Sequence, residues 1–301
     1  MALSAVAVPV RRRVGSRISA YVALTKPRII ELLLVTTLPT MIVARRGLPS
    51  LGLMVATLAG GALAAGGANA INMYVDRDID RVMHRTQNRP FVTGAVHPRN
   101  GLVFALVLEA LAFVELWLFV NLLAAALAVS ATLFYVFVYT MWLKRTSSQN
   151  IVIGGAAGAV PVLVGWAAVT GTLTWTPLVL FALIFLWTPP HFWALAVKYR
   201  DDYRAAGIPM LPAVATVAGT ARQIVAYSVA LVATSLVLAP VASLGVVYVV
   251  GASVLGVLFV ALSVELWMQP GPRVAMRLFR YSITYLTLLF VVMAVDIFSR
   301  H

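Results

Sequence analysis

Three polar residues lie four apart where a long apolar run ends: Asn72, Asp76 and Asp80. Residues four apart lie above one another on one face of an α-helix, so the amide and the two carboxylates would form a ladder about 12 Å long. Mg²⁺ prefers oxygen ligands and typically takes one or two carboxylates together with substrate phosphates and waters. The spacing therefore predicts a site where a metal ion holds a diphosphate. Asp78 lies about 200° around the helix from Asp76, and we expect it to pair with an arginine instead.

A second acidic stretch, Asp201-Asp202, also follows an apolar run directly. Five of the ten acidic residues fall in these two stretches, and the other five are scattered singly. Lys198 precedes Asp202 by four residues and is predicted to share its helix face. Carboxylates concentrated at two membrane borders, with arginines around them, favour one shared site for a divalent cation and an anionic substrate.

Several basic residues near these stretches could neutralise a diphosphate. The planar fork of arginine suits phosphate oxygens. For any single one of these residues, a role in topology or in contact with lipid headgroups is the simpler alternative. The candidates are Arg85, Arg89, Lys144, Arg145, Lys198 and Arg200.

Residues 187–193 read Trp-Thr-Pro-Pro-His-Phe-Trp inside an apolar run. The two prolines are predicted to break or kink a helix, which a membrane tolerates only where a cavity or a protein partner serves the freed carbonyls. We expect an aromatic pocket that holds a flat ring or shields a carbocation by cation–π contact. The alternative is that the histidine is simply a satisfied hydrogen-bonding residue. The pocket residues are Trp187, His191, Phe192 and Trp193.

The composition predicts an all-α membrane bundle. The 301 residues are 61% hydrophobic and 11% charged, with a mean hydropathy of +0.94, and apolar windows of about 20 residues recur throughout. The absence of cysteine excludes disulfides and thiolate chemistry. Nine membrane spans are predicted, over residues 27–44, 51–75, 101–120, 122–142, 150–170, 175–196, 222–241, 244–266 and 279–297.

The distribution of positive charge predicts the orientation. With these spans, all but three of the 23 Lys and Arg residues fall on one side, the exceptions being Arg45, Arg46 and Arg300. The positive-inside rule makes the crowded side cytoplasmic, with the N-terminus inside and the C-terminus outside. The net charge of +13 is spread over short loops, which argues against nucleic acid as a partner. We expect a poorly ordered tail over residues 1–25, and a single domain over residues 26–301 whose two long loops cap a cytoplasmic-side cavity.

These motifs together resemble the intramembrane aromatic prenyltransferases, and within that superfamily the branch that farnesylates haem. The ladder alone matches the whole superfamily. The sequences at residues 188–193 and 206–212 resemble a much smaller group within it. The matching segments are residues 24–28, 72–80, 85–90, 187–193 and 201–212, which extend over about two thirds of the chain.

The resemblance implies a reaction. Farnesyl diphosphate ionises at a Mg²⁺ site, a vinyl group of haem b captures the allylic cation, and water adds to give haem O and diphosphate. The resemblance also implies a multi-pass protein in the lipid bilayer of a bacterial inner membrane, with a haem A synthase as a downstream partner.

The family's site residues carry over position by position. Asn72, Asp76 and Asp80 match the first metal–diphosphate motif. The second motif, Asp-x-x-x-Asp, is matched only at Asp202, since Lys198 replaces its first acid and is expected to contact the diphosphate directly. Lys144 matches the lysine of a Tyr-x-x-x-Lys motif, whereas Thr140 stands at the tyrosine position.

Two other readings remain open at this point. A related prenyltransferase could use another acceptor, such as a quinone-precursor ring or a chlorophyll-type pigment. A transporter is the alternative from another class, although transport sites usually lie near the bilayer midplane and these acids lie at one border.

Overall fold

The computed structural model describes residues 17–300, apart from the side chains of residues 28, 29 and 32–34. Within that range the chain is α-helical and forms no strand. Residues 1–16 of the predicted tail lie outside the described residues. Residues Arg17–Thr25 differ from the expected disorder, because they form helix α1. Leu24 is fully buried, and Tyr21 packs edge-on against Phe104 with ring centroids 5.1 Å apart, so apolar contacts order this segment.

Nine long helical segments are described, which confirms the predicted membrane bundle. They are α2 (Pro27–Arg45), α3 (Leu51–Val75), α6 (Pro98–Phe119), α7 (Leu122–Thr146), α8 (Asn150–Thr170), α9 (Trp175–Lys198), α12 (Val217–Val241), α13 (Val246–Met268) and α14 (Pro272–Phe298). The short helices are α4 (Arg77–Val82), α5 (Pro90–Thr93), α10 (Arg200–Ala205) and α11 (Leu211–Val214). By length and composition, eight of the described long segments, all except α2, are candidate membrane spans.

Polar caps and charged turns explain where the helix borders differ from the prediction. The Thr216 side chain accepts a hydrogen bond from Gly219 N at 3.0 Å, so α12 begins at Val217 rather than at 222. The last helix begins at Pro272 rather than at 279, and its added turns carry Arg273 and Arg277. A hydropathy pattern records only the apolar part of a helix, so it misses charged turns that extend beyond the bilayer.

Close helix contacts fix the position of α8. A Cβ atom at Gly154 would lie 2.2 Å from the Tyr139 ring on α7, and one at Gly155 would lie 2.9 Å from Thr188 on α9. Small residues let helix backbones approach in this way. Helix α8 is therefore held between α7 and α9, whose C-terminal ends carry predicted site residues.

The predicted break at Pro189-Pro190 does not occur, because α9 runs as one helix from Trp175 to Lys198. Each proline removes one backbone hydrogen bond, and packing of α9 against α8, α12 and α14 keeps the segment helical. Just before the pair, Thr188 Oγ1 donates to the Ile184 carbonyl at 2.9 Å. Side-chain bonds of this kind accompany prolines in membrane helices.

Two of the three arginines predicted for the outer side, Arg46 and Arg300, meet at one end of the bundle. Arg46 and Arg300 both donate to the Ser243 carbonyl, at 3.3 and 2.5 Å. Asp296 lies beside them, fully buried, and accepts from the backbone N–H groups of Gly245 and Tyr248 at 2.6 and 3.1 Å. It therefore caps the N-terminus of α13 from a different helix.

We expect Asp296→Ala to lower stability and leave catalysis unchanged. Removing the carboxylate leaves the N–H groups of Gly245 and Tyr248 without an acceptor, which we expect to lower the free energy of unfolding by about 2–3 kcal/mol. The measurement is the thermal unfolding midpoint of the purified protein in detergent, paired with kcat below that midpoint. A lower kcat at a temperature where the variant is folded would contradict this purely structural assignment.

Candidate active site

The predicted ladder forms at the junction of α3 and α4. Asp76 ends α3, and Asp80 N still donates to the Asp76 carbonyl at 2.8 Å, so the helical register continues across the junction. Asn72 Nδ2 donates to Asp76 Oδ2 at 2.9 Å. The exposed fractions of Asn72, Asp76 and Asp80 are 4%, 0% and 1%. The three oxygen-bearing side chains therefore lie on one buried face, as the spacing predicted.

Each ladder carboxylate has its own cation. Lys144 forms an ion pair with Asp76, and Arg89 Nη1 donates to both oxygens of Asp80, at 2.8 and 2.7 Å. Buried carboxylates need such partners because removal from water is costly. The structure thus joins four of the predicted site residues as two ion pairs, and Asn72 contacts the pair at Asp76.

Asp78 pairs with an arginine, as predicted. Arg145 donates to its two oxygens at 2.7 and 2.8 Å. The hydrogen bond from Arg145 lowers the pKa of Asp78 to about 2. Asp78 is 62% exposed, so it stays outside the buried ladder.

Lys26 completes the site from a position that the sequence reasoning did not assign. Its Nζ donates to Asn72 Oδ1 at 2.9 Å. Desolvation, and then repulsion by Arg89 and Lys144, lowers the pKa of Lys26 to about 7. Its backbone is left-handed (φ 53°, ψ 65°) and precedes Pro27, an unfavourable conformation that tends to persist where function needs it. The signal in the sequence that could have identified Lys26 is its position as a basic residue directly before the first predicted membrane span.

A π-helical segment of α7, Phe134–Leu143, forms another wall of the site. Thr140 accepts from Asn72 Nδ2 at 3.1 Å and donates to the Tyr135 carbonyl five residues back, at 2.8 Å. The Lys144 N–H likewise bonds the Tyr139 carbonyl five residues back. Wider π-helical turns often mark functional sites. This register brings Tyr139, rather than Thr140, one turn before Lys144.

The loop after the first acidic stretch contacts the second stretch. The backbone N–H of Arg85 donates to Asp202 Oδ2 at 3.3 Å. Ile79 and Tyr203 belong to one buried apolar cluster. A cavity of about 290 Å³ also lies between α4 and the end of α10. The segment after α3 and the segment after α9 therefore close against each other.

Lys198 does not share a helix face with Asp202, so that prediction is wrong. Helix α9 ends at Lys198, Tyr199 follows with φ −106° and ψ 19°, and α10 begins at Arg200. The Lys198 side chain is exposed, and its Nζ lies 5.3 Å from the centroid of the Tyr199 ring. A change of helix axis at Tyr199 breaks the four-residue register on which the prediction depended.

The aromatic segment divides between two sides of α9. His191 stacks on Trp187 with centroids 4.2 Å apart, and Phe192 meets the imidazole edge-on at 5.1 Å. Trp193 is fully buried elsewhere, against Tyr227 at 5.6 Å. Residues two apart point about 200° from each other on a helix, so Trp193 cannot join the cluster around His191.

The donor set fits Mg²⁺. Asp76 Oδ1 is buried and has no hydrogen-bond partner, an unusual state for a carboxylate oxygen that a cation would resolve. Within residues 17–300, no three Asp, Glu, His or Cys side chains converge as a protein-only metal cage. Mg²⁺ does not need such a cage, since one or two carboxylates with substrate phosphates suffice. Asn72, Asp76 and Asp80 carry oxygens of this kind, so they are the residues that would hold the ion.

Comparison with known proteins agrees with this geometry. Residues 33–291 match the model of the UbiA prenyltransferase family. The protoheme IX farnesyltransferase of Frankia alni is 57% identical over 285 residues, 93% of this chain and 98% of that protein.

Solved structures share the fold. A UbiA homologue from Aeropyrum pernix superposes with a TM-score of 0.72 at 21% identity, covering 90% of this chain and 98% of that one. A UbiA homologue from Archaeoglobus fulgidus, bound to DMAPP and Mg²⁺, gives a TM-score of 0.63 at 17% identity, over 92% and 99%. The chain therefore belongs to the UbiA prenyltransferase family, in the group of the protoheme IX farnesyltransferases.

Proposed function

We propose that this enzyme transfers the farnesyl group of farnesyl diphosphate to a vinyl group of haem b, with addition of water, to give haem O and diphosphate. The observation that carries the proposal is the buried ladder, whose carboxylates lie among Lys26, Lys144 and Arg89. Asp76 Oδ1 accepts no hydrogen bond, and Arg145 Nη2 lies 4.0 Å from it. A site so rich in positive charge is suited to an anion of high charge density.

The basic side chains bind and orient the diphosphate. Lys26, Lys144 and Arg89 can exchange contacts with the ladder for contacts with phosphate oxygens, and a bound anion would favour the protonated form of Lys26. Arg85 and Lys198 are exposed at the mouth of the site, where they can contact the outer phosphate. Closure of the two loop segments, which contact each other at Arg85 and Asp202, would exclude water and strengthen each of these contacts.

Asn72, Asp76 and Asp80 would hold Mg²⁺, and Asp202 would approach it from the second loop. Bound there, Mg²⁺ would supply Lewis-acid stabilisation of the departing diphosphate. Breaking the C1–O bond leaves the electron pair on diphosphate and the positive charge on the farnesyl group. The vinyl π-electrons form the new C–C bond, a hydroxyl from water adds to the resulting cation, and the water's other proton passes to solvent.

The remaining parts of the proposal concern the acceptor and the setting. The curated relatives are named for protoheme IX, and the edge of the His191 ring with the exposed Phe192 beside it offers an apolar contact for a macrocycle. We place the diphosphate end of the site on the cytoplasmic side of a bacterial inner membrane, with the C-terminus outside. Haem O released into the bilayer would then be the substrate of a haem A synthase.

Purified protein with farnesyl diphosphate, haem b and Mg²⁺ should give a product heavier than haem b by one farnesyl and one hydroxyl group, read by mass spectrometry. A chelator should stop product formation, and added Mg²⁺ should restore it. A quinone-precursor ring offered in place of haem b is the control for acceptor choice. Transfer to that ring but not to haem b would contradict the proposed acceptor, and turnover in excess chelator would contradict the metal site.

A further inference from the structure

His191 has a more specific setting than an aromatic pocket requires. Its ring lies between Trp187, at 4.2 Å and 18° between ring planes, and Phe279 on α14, at 4.6 Å and 28°. Both faces of the imidazole are therefore occupied, so a flat substrate cannot stack on it. Only the edge of the ring is left for contact with another molecule.

The proton on His191 is assigned by a chain of hydrogen bonds. Ser282 Oγ donates its hydrogen to the Phe279 carbonyl at 2.7 Å. The same oxygen lies 2.7 Å from His191 Nδ1. With its hydrogen directed to the Phe279 carbonyl, we assign this oxygen as the acceptor from Nδ1–H. Trp187 Nε1 donates to the Ser282 carbonyl at 2.8 Å, which holds the three residues together. Nδ1 thus carries the proton, and Nε2 carries a free lone pair.

The second ring nitrogen of His191, Nε2, differs from Nδ1 in its contacts. Among the side chains that the structure describes, none forms a hydrogen bond with Nε2, and Nε2 is not one of the buried polar atoms without a partner. The residue as a whole keeps 7% of its surface exposed, and Nε2 is the ring nitrogen without a described partner. An imidazole with a fixed ring, a bonded Nδ1–H and an accessible Nε2 has the arrangement found in histidines that bind metals.

The position of His191 fits the proposed acceptor. Lys198, at the cytoplasmic end of α9, follows by seven residues, so it lies on the same helix face about 10 Å further along. The exposed ring of Phe192 adds an apolar wall beside the imidazole. A macrocycle with its metal at His191 can extend one edge along this face toward the diphosphate.

We propose that His191 Nε2 is the axial ligand of the haem b iron, and that Ser282 is the positioning residue that fixes its tautomer. The inference depends on the proposed function, since it assigns the contact between this chain and the iron of the acceptor. Histidine is a common axial ligand of haem. The bond would hold the porphyrin in one plane and restrict which edge reaches the farnesyl cation.

The test is a titration of the full-length protein in detergent with haem b and, separately, with iron-free protoporphyrin IX. We expect the wild type to show the absorption spectrum of histidine-ligated haem and to prefer haem b over the iron-free ring. His191→Ala should lose that spectrum and bind haem b at least about tenfold more weakly, with iron-free binding unchanged and the ligated spectrum restored by added imidazole. Ser282→Ala should keep a ligated spectrum with affinity reduced about tenfold.

The matched controls are His84→Ala and His97→Ala, which remove exposed histidines and should leave the spectrum intact. A wild-type spectrum in His191→Ala, or an equal loss of haem and iron-free porphyrin binding, would overturn the iron ligand. Farnesyl transfer to haem b by the wild type in that event would show that the proposed function stands without it. Failure of the wild type to bind haem b or to farnesylate it would remove both proposals.

Discussion

Asp76→Asn should lower kcat about 1000-fold. The substitution keeps the shape of the side chain, and its amide oxygen can still accept the 2.9 Å hydrogen bond from Asn72. It removes the charge of the ladder carboxylate that has one oxygen without a hydrogen bond. Metal stabilisation of a leaving group contributes several kcal/mol, and about 4 kcal/mol corresponds to a factor of about 1000. Single-turnover kinetics with saturating farnesyl diphosphate measure the effect on the chemical step.

Asp78→Asn is the matched control for this variant. Asp78 lies two residues away and has its own arginine, but it is exposed. We expect its kcat to remain within about threefold of the wild type, because exposed ion pairs contribute little. Equal losses in Asp76→Asn and Asp78→Asn would show that charge near the loop matters, and not the ladder itself.

Arg89→Gln should reduce both activity and stability. Arg89 donates to both oxygens of Asp80, which is 1% exposed. Removing it leaves a buried carboxylate unpaired, at a cost of about 3 kcal/mol. The diphosphate also loses a cation, and charge-assisted hydrogen bonds of this kind contribute about 1.5–3 kcal/mol, so we expect turnover to fall about 100-fold.

A double-mutant cycle separates these two effects. Asp80→Asn together with Arg89→Gln removes both charges, so the thermal unfolding midpoint should recover most of its loss. Turnover should not recover, because the ladder and its cation are both missing. Recovery of kcat with stability in the double variant would mean that the pair only supports the fold.

The sequence predicted the parts of this molecule that depend on local pattern. Apolar runs placed the long helices, and α3 and α8 begin and end at the predicted residues. The four-residue spacing correctly placed Asn72 and Asp76 on one face, because hydrogen-bonded helical register continues through the junction at Asp76. Local geometry of this kind is encoded within a few residues.

Tertiary contacts account for what the sequence did not predict. Lys26 reaches Asn72 from 46 residues away, through a backbone conformation that no propensity favours. In the π-helical segment of α7, Tyr139 packs against Gly154 on α8, and α9 ends at Lys198 with the turn at Tyr199. Phe279 and Ser282 hold His191 from a helix about 90 residues further along. None of these contacts leaves a periodic signal.

Binding of a non-ionising analogue, farnesyl thiodiphosphate, with and without Mg²⁺ tests the role of the ladder most directly. Calorimetric titration reports binding without turnover, so it is independent of the acceptor. We predict that Mg²⁺ tightens binding at least tenfold in the wild type and has no effect in Asp76→Asn. The same Mg²⁺ dependence in both proteins, or tight binding to the wild type in excess chelator, would contradict the assignment of Asn72, Asp76 and Asp80 as the groups that hold the diphosphate through magnesium.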